Sequence, residues 1–276
     1  MLNKGFVIVA VKNTSGVDYL RHAAALAASI KKNCKINDVC LITNYRIPQR
    51  WQGLFDHVVR INNQPSEWTQ NVLSHIYDLS PYHETIHIES DCLVLSNIDH
   101  WWTGCQHHDV LFTTKVKTVR GDISTQSYRK HFERSDLPLI YSGLYYFRKS
   151  ALARSIHSTM SWVVTNWTNI RNTVFDPNLN FRMGNDEVAA VSLALSNIDE
   201  LKYTNPNLPY PSMCHMKSKI NNWPELDLTK SLGVFLDSDF NLYVNNYLQQ
   251  GIWHYQQKEF LTDEILNRYV ASILPS

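Results

Sequence analysis

Two rhythms of apolar and polar positions run along this chain. Phe6 to Val11 is an unbroken apolar run, the pattern of a strand covered on both faces. Polar Lys12 to Gly16 reads as a loop. From Tyr19 to Lys32 the apolar positions Leu20, Ala23, Ala24, Ala27 and Ile30 recur at helical spacing, and the run ends in Lys31-Lys32-Asn33, a cationic last turn. Val39–Thr43 and His57–Ile61 are the next strands. Glu67 to Leu79 reads as one helix with Trp68, Val72, Ile76 and Leu79 on a stripe, stopped by Ser80-Pro81. An apolar strand then leads into Glu89-Ser90-Asp91 and leaves as Cys92 to Leu95. Val110–Thr114 is a strand, and Leu139 to Arg148 reads as strand, small-residue step at Ser142-Gly143, strand. Helices follow over Ala151–Trp167 and Val188–Leu195, the second capped by Asn185, and Phe260 to Leu274 has the pattern of a terminal amphipathic helix.

Strands alternating with helices at this spacing predict an α/β fold with a mostly parallel central sheet flanked by helices. Ligands of such sheets bind beyond the carboxyl ends of the strands, which makes the Lys12–Gly16 loop a candidate nucleotide contact. That loop holds neither GxGxxG nor a Walker-type lysine, so the usual dinucleotide and P-loop readings have no support. Texture changes at the proline-punctuated stretch from Asn205 to Pro211. The expected organisation is therefore a core over 1–204 and a C-terminal extension over 205–276 that completes the active site.

With 276 residues and 44% hydrophobic content, the chain can bury a full core. A net charge of +1 argues against a generally polybasic nucleic-acid binder. Five scattered cysteines without CxxC spacing fit buried, reduced thiols rather than a zinc module or a disulfide framework. No stretch approaches a bilayer-spanning length, and Met1-Leu2-Asn3-Lys4-Gly5 enters the strand without an apolar leader. Cytoplasmic localisation is expected, in the host cytoplasm if a phage encodes the protein.

Glu89-Ser90-Asp91 carries the chemistry. In an extended chain Glu89 and Asp91 share one face and Ser90 takes the other. Two acids together at the end of a buried strand repel each other and are costly to desolvate unless a divalent cation or ordered hydrogen bonds offset the cost. Hard cations such as Mg²⁺ or Mn²⁺ take carboxylate oxygens and leave positions for phosphate. Asp186 and Glu187 suit the positive end of a helix, and helix capping alone would account for them.

The order of these features resembles the nucleotide-sugar-dependent glycosyltransferases of GT-A fold, particularly the group of glycogenin and the bacterial galactosyltransferases of family 8. The resemblance spans roughly residues 5–200, with a weaker match near 254. Val17-Asp18-Tyr19-Leu20 looks like that family's first loop and helix, where nucleotide contacts begin; Val11, Asn13 and Tyr19 are the candidates. Glu89-Ser90-Asp91 resembles its aspartate–x–aspartate segment, with Glu in the first place. Tyr141-Ser142-Gly143-Leu144 resembles its Asn-Ser-Gly step, with Tyr for Asn. Asn185-Asp186-Glu187 resembles the acidic pair beside the donor sugar, which makes Asp186 and Glu187 the catalytic candidates. His254 and Lys258 resemble the histidine that completes the metal site and the lysine that holds the diphosphate; His215 with Lys217 is the second choice.

The resemblance implies a metal-dependent enzyme, with Mn²⁺ or Mg²⁺ on Glu89, Asp91 and His254, and a nucleoside diphosphate sugar contacting Glu89, Ser90, Asp91 and Lys258. It also implies transfer to a hydroxyl with retention of configuration. The acceptor would be a glycan or a modified DNA base of phage type, a hydroxymethylated or already glycosylated one. The basic 115–134 segment, with Tyr128 and His131 interleaved, would track a phosphate backbone in the second case and is otherwise a solvated loop. Other classes on a related scaffold are an inactive sugar-nucleotide-binding or structural protein, and a nucleotidyltransferase.

Overall fold

Alternation along the central strands sends successive side chains into two separate apolar layers. The computed structural model describes residues 2–62, 69–124, 130–176, 178, 181, 183–196, 204–205, 213–216 and 232–274. In strand β1 (Leu2–Ala10), Phe6 and Ile8 enter one layer, whereas Val7 and Val9 enter the other. The strand is covered on both faces, as its unbroken apolar run requires.

Seven strands form the central sheet: β1, β2 (Val39–Thr43), β3 (His57–Arg60), β4 (Tyr82–Ile88), β6 (Val110–Thr113), β7 (Tyr141–Arg148) and β8 (Thr204–Asn205), in the order β3-β2-β1-β4-β7-β6-β8. All neighbours pair in parallel except β7, which is antiparallel to β4 and β6. Of the stretch from Leu139 to Arg148, Tyr141–Arg148 forms a single strand with no break at Ser142-Gly143; the irregularity lies across from it, between Phe112 and Thr113.

Helix α1 (Tyr19–Asn33) packs on the first layer. Asp18 caps it by accepting from the Leu20 and Arg21 amides at 3.1 and 3.2 Å, and its alanines allow close approach to the sheet. The expected helix over 67–79 is two short ones, α2 (Thr69–Ser74) and α3 (Ile76–Leu79), broken at His75; Glu67 and Trp68 lie outside the described residues. After α4 (His100–Cys105) and α5 (Lys130–Arg134), the chain forms α6 (Ala151–Thr165), which matches the helix expected over 151–167, and then α7 (Trp167–Val174), which the sequence reading did not include. Helix α8 runs from Asn185 to Leu195, and Gly184, not Asn185, holds the capping position.

A small sheet joins the C-terminal segment to the core. Strand β13 (Ile252–His254) pairs antiparallel with β5 (Cys92–Val94) and parallel with β9 (Met213–His215), so His254 is aligned with Cys92 on one side and His215 on the other. Strands β10 (Val234–Leu236), β11 (Leu242–Val244) and β12 (Tyr247–Leu248) form a separate antiparallel sheet. A final helix, α9 (Asp263–Ala271), buries Ile265, Leu266 and Tyr269 in the α1 layer. All five cysteines are free and buried. No helix among the described residues is long and apolar enough to cross a membrane.

Candidate active site

Glu89, Ser90 and Asp91 fill the short connection between β4 and β5, and the chain turns there instead of staying extended. The two acids still converge, because the turn points both at one partner. His254 Nε2 lies 3.4 Å from Glu89 Oε2 and 3.3 Å from Asp91 Oδ2. Register places it there: His254 is opposite Cys92, next to Asp91, and the Tyr255 amide donates to the Asp91 carbonyl at 3.2 Å. The turn of 3-10 helix at Lys258–Phe260 then brings the Lys258 ammonium onto Asp91 Oδ2.

Glu89 is positioned from the other side. Its amide donates to the Gly143 carbonyl at 2.8 Å, and Asn185 Nδ2 donates to its Oε1 at 2.9 Å. Gly143 leaves the space this carboxylate occupies: a Cβ there would stand 2.8 Å from Glu89 Oε2. The group that approaches this glycine closely is the chain's own acid.

Electrostatics fix the charge states. Burial alone would raise the Asp91 pKa, but His254 and Lys258 outweigh it and hold this carboxyl well below the usual range. Burial raises Glu89, helped by Asp91 and Asp186 and opposed by His254. For His254 burial acts downward, yet Asp91 and Glu89 outweigh it and the net shift is upward. Lys258 is also raised, its burial outweighed by Asp91. His254 Nδ1 is buried without a hydrogen-bond partner.

Glu89, Asp91 and His254 each offer one ligand atom, all within 4.8 Å of one another. Two carboxylate oxygens and one imidazole nitrogen fit a hard or borderline divalent cation, with Mn²⁺ better matched than Mg²⁺ because of the nitrogen. Ligation would displace the His254 proton.

Two cavities flank this charged wall and share Glu89, Asp91 and Lys258. The first, of about 210 Å³, adds Val9, Val11, Tyr19, Leu73, His87, Ser90 and Asn185. The second, of about 190 Å³, adds Tyr141, Gly143, Asp186, Met213, His215, His254 and Gln256. Of the expected residues, Val11, Tyr19, Glu89, Ser90, Asp91 and Lys258 meet in the first cavity, and Asp186 and His254 line the second. His215 lines the second cavity, where it hydrogen-bonds Gln256 at 2.9 Å; its expected companion Lys217 lies outside the described residues. Asn13 lines neither cavity, its side chain accepting from the Ser15 amide at 2.8 Å.

Asp186 Oδ1 accepts from Ser142 twice, from the amide at 2.5 Å and from Oγ at 2.8 Å, so α8 is locked to β7. Glu187 turns away from both cavities. It is buried against His131 Nε2 at 2.7 Å, and that imidazole stacks on Phe181 with centroids 4.2 Å apart. In the basic 115–134 segment, Lys117 exchanges backbone hydrogen bonds with Met213 and His215 at 2.8 and 2.9 Å, and Arg120 stacks over Tyr247. Tyr128 and Arg129 lie outside the described residues.

Sequence reasoning missed His87, Leu73, Tyr141 and Gln256. For His87 a signal was present: period-two alternation puts residues 85, 87 and 89 on one face, so a histidine two places before Glu89 shares its side of the sheet. Burial pushes its imidazole down to about 4, and Nδ1 hydrogen-bonds the Val7 carbonyl at 3.1 Å.

No protein-family profile and no curated protein matches this sequence. Solved structures do. The galactosyltransferase LgtC, determined with donor and acceptor sugar analogues, superposes with a TM-score of 0.53 at 10% identity, covering 99% of this chain and 97% of that one. The glycosyltransferase GlyE of Streptococcus pneumoniae TIGR4 gives a TM-score of 0.50 at 11% identity over 99% of this chain, which spans 64% of the GlyE chain. The shared architecture, at identities this low, is one of fold: the chain has the GT-A fold of nucleotide-sugar glycosyltransferases.

Proposed function

We propose that this protein is a metal-dependent glycosyltransferase that moves a sugar from a nucleoside diphosphate donor to an acceptor hydroxyl. One observation carries the reading: Glu89, Asp91, His254 and Lys258 converge on the boundary between a cavity with apolar and aromatic walls and a cavity with polar ones. Val9, Val11, Leu73 and Tyr19 offer surfaces for a nucleoside. Tyr141, Asp186, His215 and Gln256 offer hydrogen-bonding groups for a hydroxylated sugar and its acceptor. The charged wall between them suits a diphosphate.

Glu89, Asp91 and His254 would hold Mn²⁺ or Mg²⁺. Such an ion supplies Lewis acidity toward the diphosphate and offsets its charge. As the bond between anomeric carbon and diphosphate oxygen breaks, negative charge grows on the leaving group, and the Lys258 ammonium donates to it, a stabilisation greatest in the transition state. Asp186 faces the sugar. The oxygen that accepts twice from Ser142 is held in place by both hydrogen bonds, which suits a fixed carboxylate stabilising positive charge at the anomeric carbon; we adopt retention on that ground. Glu187 acts at one remove, holding His131. A glycan or other neutral hydroxyl compound is the acceptor class we favour, since the second cavity is lined mainly by hydrogen-bonding groups and Arg120 of the basic segment lies over the Tyr247 ring.

Thermal stability in the presence of nucleoside diphosphate sugars, each with and without Mn²⁺, tests the reading. At least one donor should raise Tm in a metal-dependent way and be slowly hydrolysed to nucleoside diphosphate. No metal-dependent shift from any donor would remove it. Binding without hydrolysis or transfer would leave an inactive sugar-nucleotide-binding protein, and pyrophosphate release from a nucleoside triphosphate would make it a nucleotidyltransferase.

A further inference from the structure

The first cavity is lined by two residues with buried acceptor atoms that no described group satisfies. His87 is 1% exposed and lines this cavity together with Glu89. Its Nδ1 faces the Val7 carbonyl, which can only accept, so Nδ1 carries the hydrogen and the neutral ring bears its lone pair on Nε2. That Nε2 is buried with no hydrogen-bond partner. Asn185, in the same lining, repeats the pattern. Its Nδ2 donates to the Glu89 carboxylate, which leaves Oδ1 as an acceptor, also buried and unpartnered.

The remaining lining does not meet these atoms: Val9, Val11 and Leu73 are apolar, Glu89 and Asp91 only accept as carboxylates, the Lys258 ammonium is engaged with Asp91, and neither the Tyr19 nor the Ser90 hydroxyl hydrogen-bonds either acceptor. Buried acceptors left unmet are costly, and a ligand bringing N–H or O–H groups removes that cost where a ligand lacking them does not. Discrimination of this kind is sharper than any an apolar pocket can make.

We propose that His87 is a specificity-determining residue for the nucleoside half of the donor, accepting through Nε2 a hydrogen bond from a base N–H or a ribose O–H, with Asn185 Oδ1 accepting a second from the same ligand. This rests on the glycosyltransferase reading above. It makes the chain a reader of donor groups in the ligand, and it assigns His87 a role unconnected with the metal.

Calorimetric titration with Mn²⁺ present tests it on the wild-type chain, His87→Phe and His87→Gln. The ligands are the common nucleoside diphosphates, their 2′-deoxy forms and forms methylated at the base N–H; a melting curve verifies that each variant folds. In the wild type, removing the recognised donor group should weaken binding about tenfold. Loss confined to the deoxy form identifies the ribose as the source, and loss confined to the methylated form identifies the base. His87→Phe should bind the intact nucleotide about tenfold more weakly and no longer tell it from the analogue, whereas His87→Gln, which keeps an acceptor, should still discriminate. If no analogue loses affinity in the wild type, or His87→Phe discriminates as the wild type does, the inference is wrong. The first of these needs no variant. If the wild type binds no nucleoside diphosphate at all, the functional reading falls with it.

Discussion

The two cavities beside the charged wall share three residues and differ in almost everything else. The first is walled by side chains from β1, α1, α2 and β4, all from the first 91 residues apart from Asn185 and Lys258, and its valines belong to the apolar run that also builds the sheet. The second is assembled from β7, α8, β9 and β13, elements far apart in sequence, and its lining is polar. One is the open end of a core; the other is a meeting of edges. Their histidines diverge in the same way. His87 has a carbonyl for a partner and its pKa falls to about 4, whereas His254 faces two carboxylates and its pKa rises. Burial is common to both, so the partner decides the charge.

Removing the shared wall should do the most damage. Asp91→Ala takes a ligand from the cation site and the partner from Lys258, and should lower Mn²⁺-dependent release of nucleoside diphosphate by roughly 10³-fold. Release at the wild-type rate would break the link between the cavities.

The next test separates them. Asp186→Asn, in the second cavity, should lower kcat by roughly 10²-fold while nucleoside diphosphate Kd stays within about twofold. Tyr19→Ala, in the first, should do the reverse, raising that Kd roughly tenfold with a smaller change in kcat. If both variants changed Kd equally, the division into nucleoside and sugar halves would be wrong.

Gly143→Ala probes the wall from behind. The added Cβ would meet Glu89 Oε2 at 2.8 Å and push that carboxylate off its position, so Mn²⁺ affinity measured by calorimetry should fall roughly tenfold, with Tm of the metal-free protein little changed. Unchanged Mn²⁺ affinity would show that Glu89 does not contribute to the cation site.

The smallest effect lies outside both cavities and tests the rule that separates the histidines. His157 is buried among Tyr77, Tyr145 and Phe147, and burial lowers its pKa to about 4. Between an unfolded value near 6.5 and that folded value the unfolded chain binds the extra proton, so stability is full above the upper limit and falls as pH drops toward the lower one. His157→Asn should remove up to about 1.4 kcal/mol per pH unit of that acid sensitivity in denaturant titrations. An unaltered slope would mean that burial is not what keeps this imidazole neutral.

Much of the fold was legible because its signals are local. A buried strand needs a continuous apolar run, and Phe6–Val11 and Val39–Thr43 have one; α1 has its cap, its stripe and its cationic end. The long helix expected over 67–79 fails at His75, where apolar spacing continues but the backbone breaks, whereas the one expected over 151–167 forms as α6. Periodicity reports which face is buried and not whether one axis persists.

The sequence by itself determined six of the central sheet's seven strands, all but β8, the first helix, and the placing of Glu89 and Asp91 together at the end of β4. Those depend on residues within a few positions of each other, whose spacing is set by backbone geometry. Only the tertiary structure decided that the pair sits in a turn, that β13 registers against β5 so that His254 stands between the two acids, and that Gly143 leaves room for Glu89. It also decided that Asp186 faces a cavity while its neighbour Glu187 is buried on His131. The physical reason is common to all of these: each depends on a contact between segments distant in the chain, fixed by strand register and packing, and neither leaves a trace in the spacing of apolar residues.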